Sequence, residues 1–133
     1  MKKRLRFLPL AQEGGQTLVE FALTITVTLM LIFGLIEFAR AVYTMSVVQW
    51  AAQQGARAGI AVESNLQATV EAAVKERLVG LDTEKALITA SQPEADVVQV
   101  DVTYPFEFVV PMVAPFAEDG SINVQASASM VVE

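Results

Sequence analysis

Between Glu20 and Glu37 every residue is uncharged and most are aliphatic or aromatic, and Thr17 to Val19 extend this run backward. At about 1.5 Å per residue, the roughly twenty positions from Thr17 to Ile36 make a helix of about 30 Å, the thickness of a bilayer's hydrocarbon core. The alternative is a buried core helix, but only about a hundred other residues remain to enclose its whole circumference. The pattern therefore predicts a membrane span. From Glu37 to Gly59 the chain has no proline and is rich in Ala, Gln, Val and Met, so the helix is expected to continue out of the lipid. Glu37 and Arg40 lie one turn apart and can pair near the outer interface, where an unpaired charge is costly. Ala51, Gly55 and Gly59, with Ala52 and Ala56 on the adjoining line, form a surface on which another backbone can approach closely. Its occupant is either another subunit or the protein's own C-terminal part.

From residue 61 onward the pattern is that of an outer domain. Ser64 is placed to cap a second helix with Gln67 three residues on, and Leu66, Val70, Val74 and Leu78 trace one apolar side up to a stop at Gly80. The period then changes to two. Val98, Val100, Val102, Tyr104, Phe106 and Phe108 alternate with polar residues, as a half-buried strand does. These aromatics read as core. Pro105 lacks an amide donor and is expected at a sheet edge or at a break between two short strands. Ile122 to Val132 alternates too, after turn chemistry at Asp119-Gly120, and Ala86 to Ala90 can supply one further strand. The fold class is α+β: a long N-terminal transmembrane helix continuing into a small outer domain with a second helix and a short antiparallel sheet. The division is 1–15, a basic leader; 16–60, the transmembrane and extended helix; and 61–133, the outer domain.

Composition narrows what such a chain can do. Its 133 residues include no cysteine and no histidine, which removes thiol nucleophiles, disulfides, imidazole bases and the usual zinc ligands. The remaining acids, serines and threonines match no catalytic template, so no active site, cofactor or metal is expected. Glu118-Asp119-Gly120 lacks the spacing of a calcium loop and reads as a solvated turn. The net charge is -6, while Lys2, Lys3, Arg4 and Arg6 concentrate positive charge at the N-terminus. The acidic body offers no footprint for nucleic acid. The basic cluster before the span keeps the N-terminus cytoplasmic and sends the C-terminal part outward. Val109 to Phe116 is unusually apolar for a loop; it either folds over the small sheet or meets a partner or the membrane.

The order of features near the N-terminus, with a basic leader, Gly14-Gly15, Glu20 and then the span, resembles a type IV prepilin processing site. The resemblance implies that a membrane peptidase cuts after Gly15, leaving Gln16 as the new first residue and Glu20 as the fifth. Glycine suits such a cut, since a residue without a side chain lets the peptide lie extended in a narrow groove. A carboxylate at the edge of lipid needs a partner, and the new ammonium of Gln16, on the same or a neighbouring subunit, can supply one. Read otherwise, Gly14-Gly15 is a flexible joint and Glu20 an acid favoured by the helix dipole. A secretory signal cut at Ala39-Arg40-Ala41 competes, but Glu37 and Arg40 argue against it.

Three segments, Gly15-Gln-Thr-Leu-Val-Glu-Phe-Ala-Leu23, Gly34-Leu-Ile-Glu-Phe-Ala-Arg-Ala-Val-Tyr43 and Gln49-Trp-Ala-Ala-Gln-Gln-Gly-Ala-Arg-Ala-Gly59, resemble TadE-like proteins. The later half is similar in outline, with a Val-x-Val-x-Tyr strand at Val100 to Tyr104, a proline-containing apolar loop and an ending around Ser129-Met130 and Glu133. The resemblance implies a minor pilin or pseudopilin of the tight-adherence pilus and secretion apparatus. Its expected partners are a prepilin peptidase, other pilin-like subunits, the assembly machinery and membrane lipid, and its expected location is the cytoplasmic (inner) membrane or a surface pilus. Two other roles stand beside it: a major fibre subunit, and an uncleaved single-pass anchor with an extracytoplasmic binding domain.

Overall fold

The computed structural model describes residues 13–62, 64–110 and 120–131. Helix α1 runs over Glu13–Gly59 and α2 over Leu66–Arg77. After a short 3-10 turn at Thr83–Lys85 come β1 (Leu87–Glu94), β2 (Val97–Glu107) and β3 (Ser121–Val131). They form one antiparallel sheet in the order β1-β2-β3. The architecture is α+β, as the two periodicities predict.

Helix α1 has two halves with different environments. From Gly14 to Phe33 every residue is exposed on all sides. From Glu37 onward one stripe is buried, with Thr44, Val48, Ala51, Ala52, Gly55, Ala56 and Gly59 recurring at helical spacing. Three elements cover this stripe: α2, through Val70, Val74 and Leu78, the inner face of β2, through Val98, Val100 and Val102, and β3, through Ala126. The small residues set the depth of this contact. A Cβ on Gly55 would lie 2.5 Å from Val74 Cγ2, and one on Gly59 would lie 2.8 Å from Val98 Cγ1. The close approach offered by Ala51, Gly55 and Gly59 is thus filled by the chain's own outer domain.

Strand β2 buries Val98, Val100, Val102, Tyr104 and Phe106 on one face and leaves the alternate residues half-buried, so the period-2 reading holds through Phe106. Phe108 lies past the strand, half-buried, with its ring edge-on to Phe106 at 5.3 Å. Pro105 behaves differently from the expectation. β2 is the central strand and runs unbroken through Pro105, which pairs with Asn123 of β3. It is tolerated because β1 pairing ends at Leu87 opposite Thr103. Past that point one side of β2 is open and needs no amide donor.

The start of α2 also differs. Asn65, not Ser64, holds the N-cap position, with a left-handed φ of 60° and no capping hydrogen bond from its side chain. Asparagine tolerates that conformation better than most residues. Gln67 closes no capping box. Its amide reaches the free edge of β1, donating from Nε2 to the Ile88 carbonyl and accepting from Ala90 N–H through Oε1, both at 2.8 Å. It acts there as a substitute strand residue. Replacing Gln67 with alanine is expected to cost about 1–3 kcal/mol, since two edge groups lose their partner at once. Urea unfolding checks the loss, and faster hydrogen exchange at Ala90 assigns it to this edge. At the far end of α2, Gly80 adopts a φ of 74° and turns the chain toward β1. Tyr43 Oη donates to the Val79 carbonyl there at 3.0 Å.

Candidate functional site

The residues that the sequence offers as a processing motif lie in the first turns of α1. Gly14, Gly15, Gln16 and Glu20 are all exposed and helical, and a Cβ on either glycine would meet nothing within 4 Å. The glycines are therefore not required by packing. A scissile peptide must be extended, whereas here the Gly15–Gln16 bond sits in a helical turn. Each glycine weakens a helix by about 1 kcal/mol relative to alanine, so this end is the easiest part of α1 to unwind. Gln16 and Glu20 are one turn apart on the same face. Glu20 has no ion-pair partner among the described residues. Residues 1–12 of the leader lie outside the described residues.

The shaft that follows suits lipid. Among the described residues α1 is the one helix long and apolar enough to cross a membrane, and its most apolar window has none of its surface buried by the rest of the chain. Two of its hydroxyls are satisfied locally: Thr26 donates to the Ala22 carbonyl at 2.7 Å and Thr28 to that of Thr24 at 2.8 Å. Such back-bonding removes the cost of an unpaired hydroxyl in hydrocarbon.

The two halves of α1 meet at Glu37. Its carboxylate is 3% exposed and fully engaged. Oε2 accepts from Arg40 Nη1 at 2.6 Å, while Oε1 accepts from the backbone N–H groups of Val109 and Val110, each at 2.7 Å. The Arg40 guanidinium also lies 5.2 Å above the Phe106 ring. The i, i+3 pair is the one the sequence predicts; the chain leaving β2 is an addition to it. The cue was present in the spacing, because Glu37, Ala41, Thr44 and Val48 fall on the same helical face as the small residues above them. An acid on that stripe has to meet the domain.

Nearby, Lys85 Nζ donates to Glu107 Oε1 at 2.8 Å, and this hydrogen bond, then the carboxylate's charge, raises the lysine pKa above its ordinary value. Asp82 N–H donates to Tyr104 Oη at 3.1 Å. The Arg77 guanidinium sits 5.4 Å over the Trp50 ring and links α2 to the outer face of α1. Phe108 N–H donates to the Gly120 carbonyl at 3.1 Å, joining the two ends of the β2–β3 connection. Residues 111–119, with most of the apolar Val109–Phe116 stretch and the Glu118-Asp119 turn, lie outside the described residues, as does Glu133.

A long bare shaft, a glycine pair at its start and a domain clasped to its upper half are the features to compare with known proteins. Residues 15–57 match the family of TadE-like proteins. The match begins at Gly15 and ends within α1, so it covers the shaft and most of its docked half and leaves the sheet outside. This TadE-like segment suggests a protein associated with the Tad pilus. Searches of curated proteins and of solved structures gave no match to the chain.

Proposed function

We propose that the chain is a minor pilin or pseudopilin that helps to assemble a tight-adherence type pilus or secretion fibre, after a prepilin peptidase cuts between Gly15 and Gln16. Its role is structural, not catalytic. The observation that best supports this reading is the contrast within α1: a fully exposed apolar shaft from Gly14 to Phe33 continues, as one helix, into the core of a folded domain. A bare shaft needs lipid or neighbouring helices around it, and a helix shared with a domain makes that domain travel with the shaft. The basic leader orients the chain with its N-terminus in the cytoplasm and its domain outside the inner membrane.

Intact mass of the membrane-extracted chain, with and without co-expressed prepilin peptidase, tests the processing step. The expected product begins at Gln16, requires the peptidase and disappears in Gly15→Leu. That variant is expected to leave the fold unaltered, because a Cβ on Gly15 would meet nothing within 4 Å among the described residues. A full-length chain in every sample, beside a demonstrably active peptidase, would instead make the protein an uncleaved anchor. Abundance in sheared fibres separates the two pilin roles, since a minor subunit is scarce there yet needed for their assembly and a major subunit is plentiful.

A further inference from the structure

Glu37 fixes the height of the domain on the shaft. It is the first residue past Ile36, and its Oε1 accepts from the backbone N–H groups of Val109 and Val110, each at 2.7 Å. Helical side chains lean toward the N-terminus of their helix, so these amides meet α1 on the side of the bare shaft. No linker separates shaft from domain, because one continuous helix carries the exposed run and the buried stripe from Thr44 to Gly59. Where Thr17 to Ile36 fills the hydrocarbon core, the end of β2 therefore lies at the boundary of that core.

The side chains at this level are apolar. A groove of about 310 Å³ opens between α1 and the base of the sheet, lined by Gly34, Phe38, Ala41, Phe108 and Ile122 beside the fully engaged Glu37. Phe38, Val109 and Ile122 are 67%, 70% and 43% exposed. By helical rise the groove runs from about 3 Å before Ile36, at Gly34, to about 7.5 Å past it, at Ala41. A headgroup layer about 5–7.5 Å deep, with the edge of the core beneath it, covers the same interval. Charge takes over at the top of this layer: the exposed Lys85–Glu107 pair lines a separate cleft with Arg40 and Thr44, which lie about 6 and 12 Å past Ile36.

We propose that the base of the outer domain, formed by Phe38, Phe108, Val109 and Ile122, is seated in the outer headgroup layer of the membrane, with lipid acyl chains reaching into the groove beside Gly34. The inference rests on α1 crossing the membrane as proposed above. Exposed apolar clusters mark contacts with lipid or with protein, and continuity selects lipid here. Gly34 belongs to the apolar run, so the groove extends the lipid-facing surface of the shaft directly onto the sheet.

The chain has no cysteine, so single cysteines labelled with the dye NBD can report depth in phosphatidylcholine vesicles carrying a nitroxide quencher either near the glycerol or at the end of the acyl chain. The variants are Val27→Cys in the shaft, Val109→Cys and Ile122→Cys at the base, and Val131→Cys at the far end of the sheet, all at exposed positions. Val109 holds Glu37 through its backbone, so its side chain can be exchanged without losing that bond. The dyes at Val109→Cys and Ile122→Cys are expected to lose most of their emission to the shallow quencher, and the dye at Val27→Cys to the deep one. Val131→Cys is expected to keep its emission, since Val131 lies nine residues along β3 from Ile122, about 30 Å away. It carries the same dye and so controls for any affinity of the dye itself for lipid. Base positions as insensitive as Val131→Cys, beside a quenched Val27→Cys, overturn the seating and leave the span, with protein or water in the groove. Equal shallow quenching at Val131→Cys also overturns it, because the base would then have no special place in lipid. An unquenched Val27→Cys removes the span and the seating together.

Discussion

Replacing Gly55 with leucine is expected to unfold the outer domain or to leave it only marginally folded. The position is buried, and a single added carbon would lie 2.5 Å from Val74 Cγ2, 3.3 Å from Val70 Cγ1 and 3.4 Å from Val100 Cγ1. The atoms in the way belong to β-branched side chains with one preferred rotamer each, on two different elements, so none can swing aside. Overpacking usually costs about 1–3 kcal/mol, and a four-carbon side chain wedged between α1, α2 and β2 belongs at the top of that range or above it. The gain in helix propensity on leaving glycine, less than about 1 kcal/mol, does not offset this. Gly34→Ala is the control, because a Cβ there meets nothing within 4 Å and the change is neutral or slightly stabilising. The chain has one tryptophan, and Trp50 lies under Arg77 across the α1–α2 contact. Its fluorescence during urea unfolding in detergent therefore follows the packing at issue. A Gly55→Leu protein as stable as Gly34→Ala would mean that α2 does not pack where the structure places it.

Much of this arrangement was legible from spacing alone. The membrane-length run and the strand alternation at Val98 to Phe106 depend only on local periodicity, and both appear as expected. The small residues of α1 announced a close contact, but not with what, because a stripe of Ala and Gly looks the same to a neighbouring subunit as to the chain's own α2. Pro105 departs from its local signal for a related reason: whether a strand has a free side depends on where its neighbour stops, and the end of β1 pairing at Leu87 is a property of the sheet. Gln67 fitted a local capping pattern that lost to a longer-range one, since two backbone groups at the edge of β1 gave its amide better partners than the helix start did. The Gly14-Gly15 and Glu20 motif stands apart from all of these. Among the described residues nothing packs against those glycines, so the reading of that motif rests on the proposed processing and not on the fold.

The same distinction bears on Glu37, whose replacement by leucine is expected to cost about 2–4 kcal/mol. Leucine matches the position's apolar neighbours, yet it strands the amides of Val109 and Val110 and leaves Arg40 without the carboxylate it pairs with. Arg40 remains partly in solvent, its side chain 43% exposed, so the guanidinium can rehydrate and the loss falls below that of a fully buried pair. Glu37→Gln is expected to lose roughly half as much, because an amide oxygen can still accept from both backbone groups while the charge attraction is gone. Hydrogen exchange separates the two effects. In the unaltered chain the Val109 and Val110 amides should be protected although Val109 is 70% exposed; in Glu37→Leu both should exchange as open loop, and in Glu37→Gln only partly so. Unprotected amides in the unaltered chain would remove the contact altogether. The physical reason for expecting it is position: Glu37 is where α1 passes from bare shaft to packed core, and these bonds tie the end of β2 to the shaft. Without them the domain would still hold α1 through Val48, Ala52 and Ala56, but its lower end would swing free of the shaft, so the orientation of the sheet should be lost before the fold is.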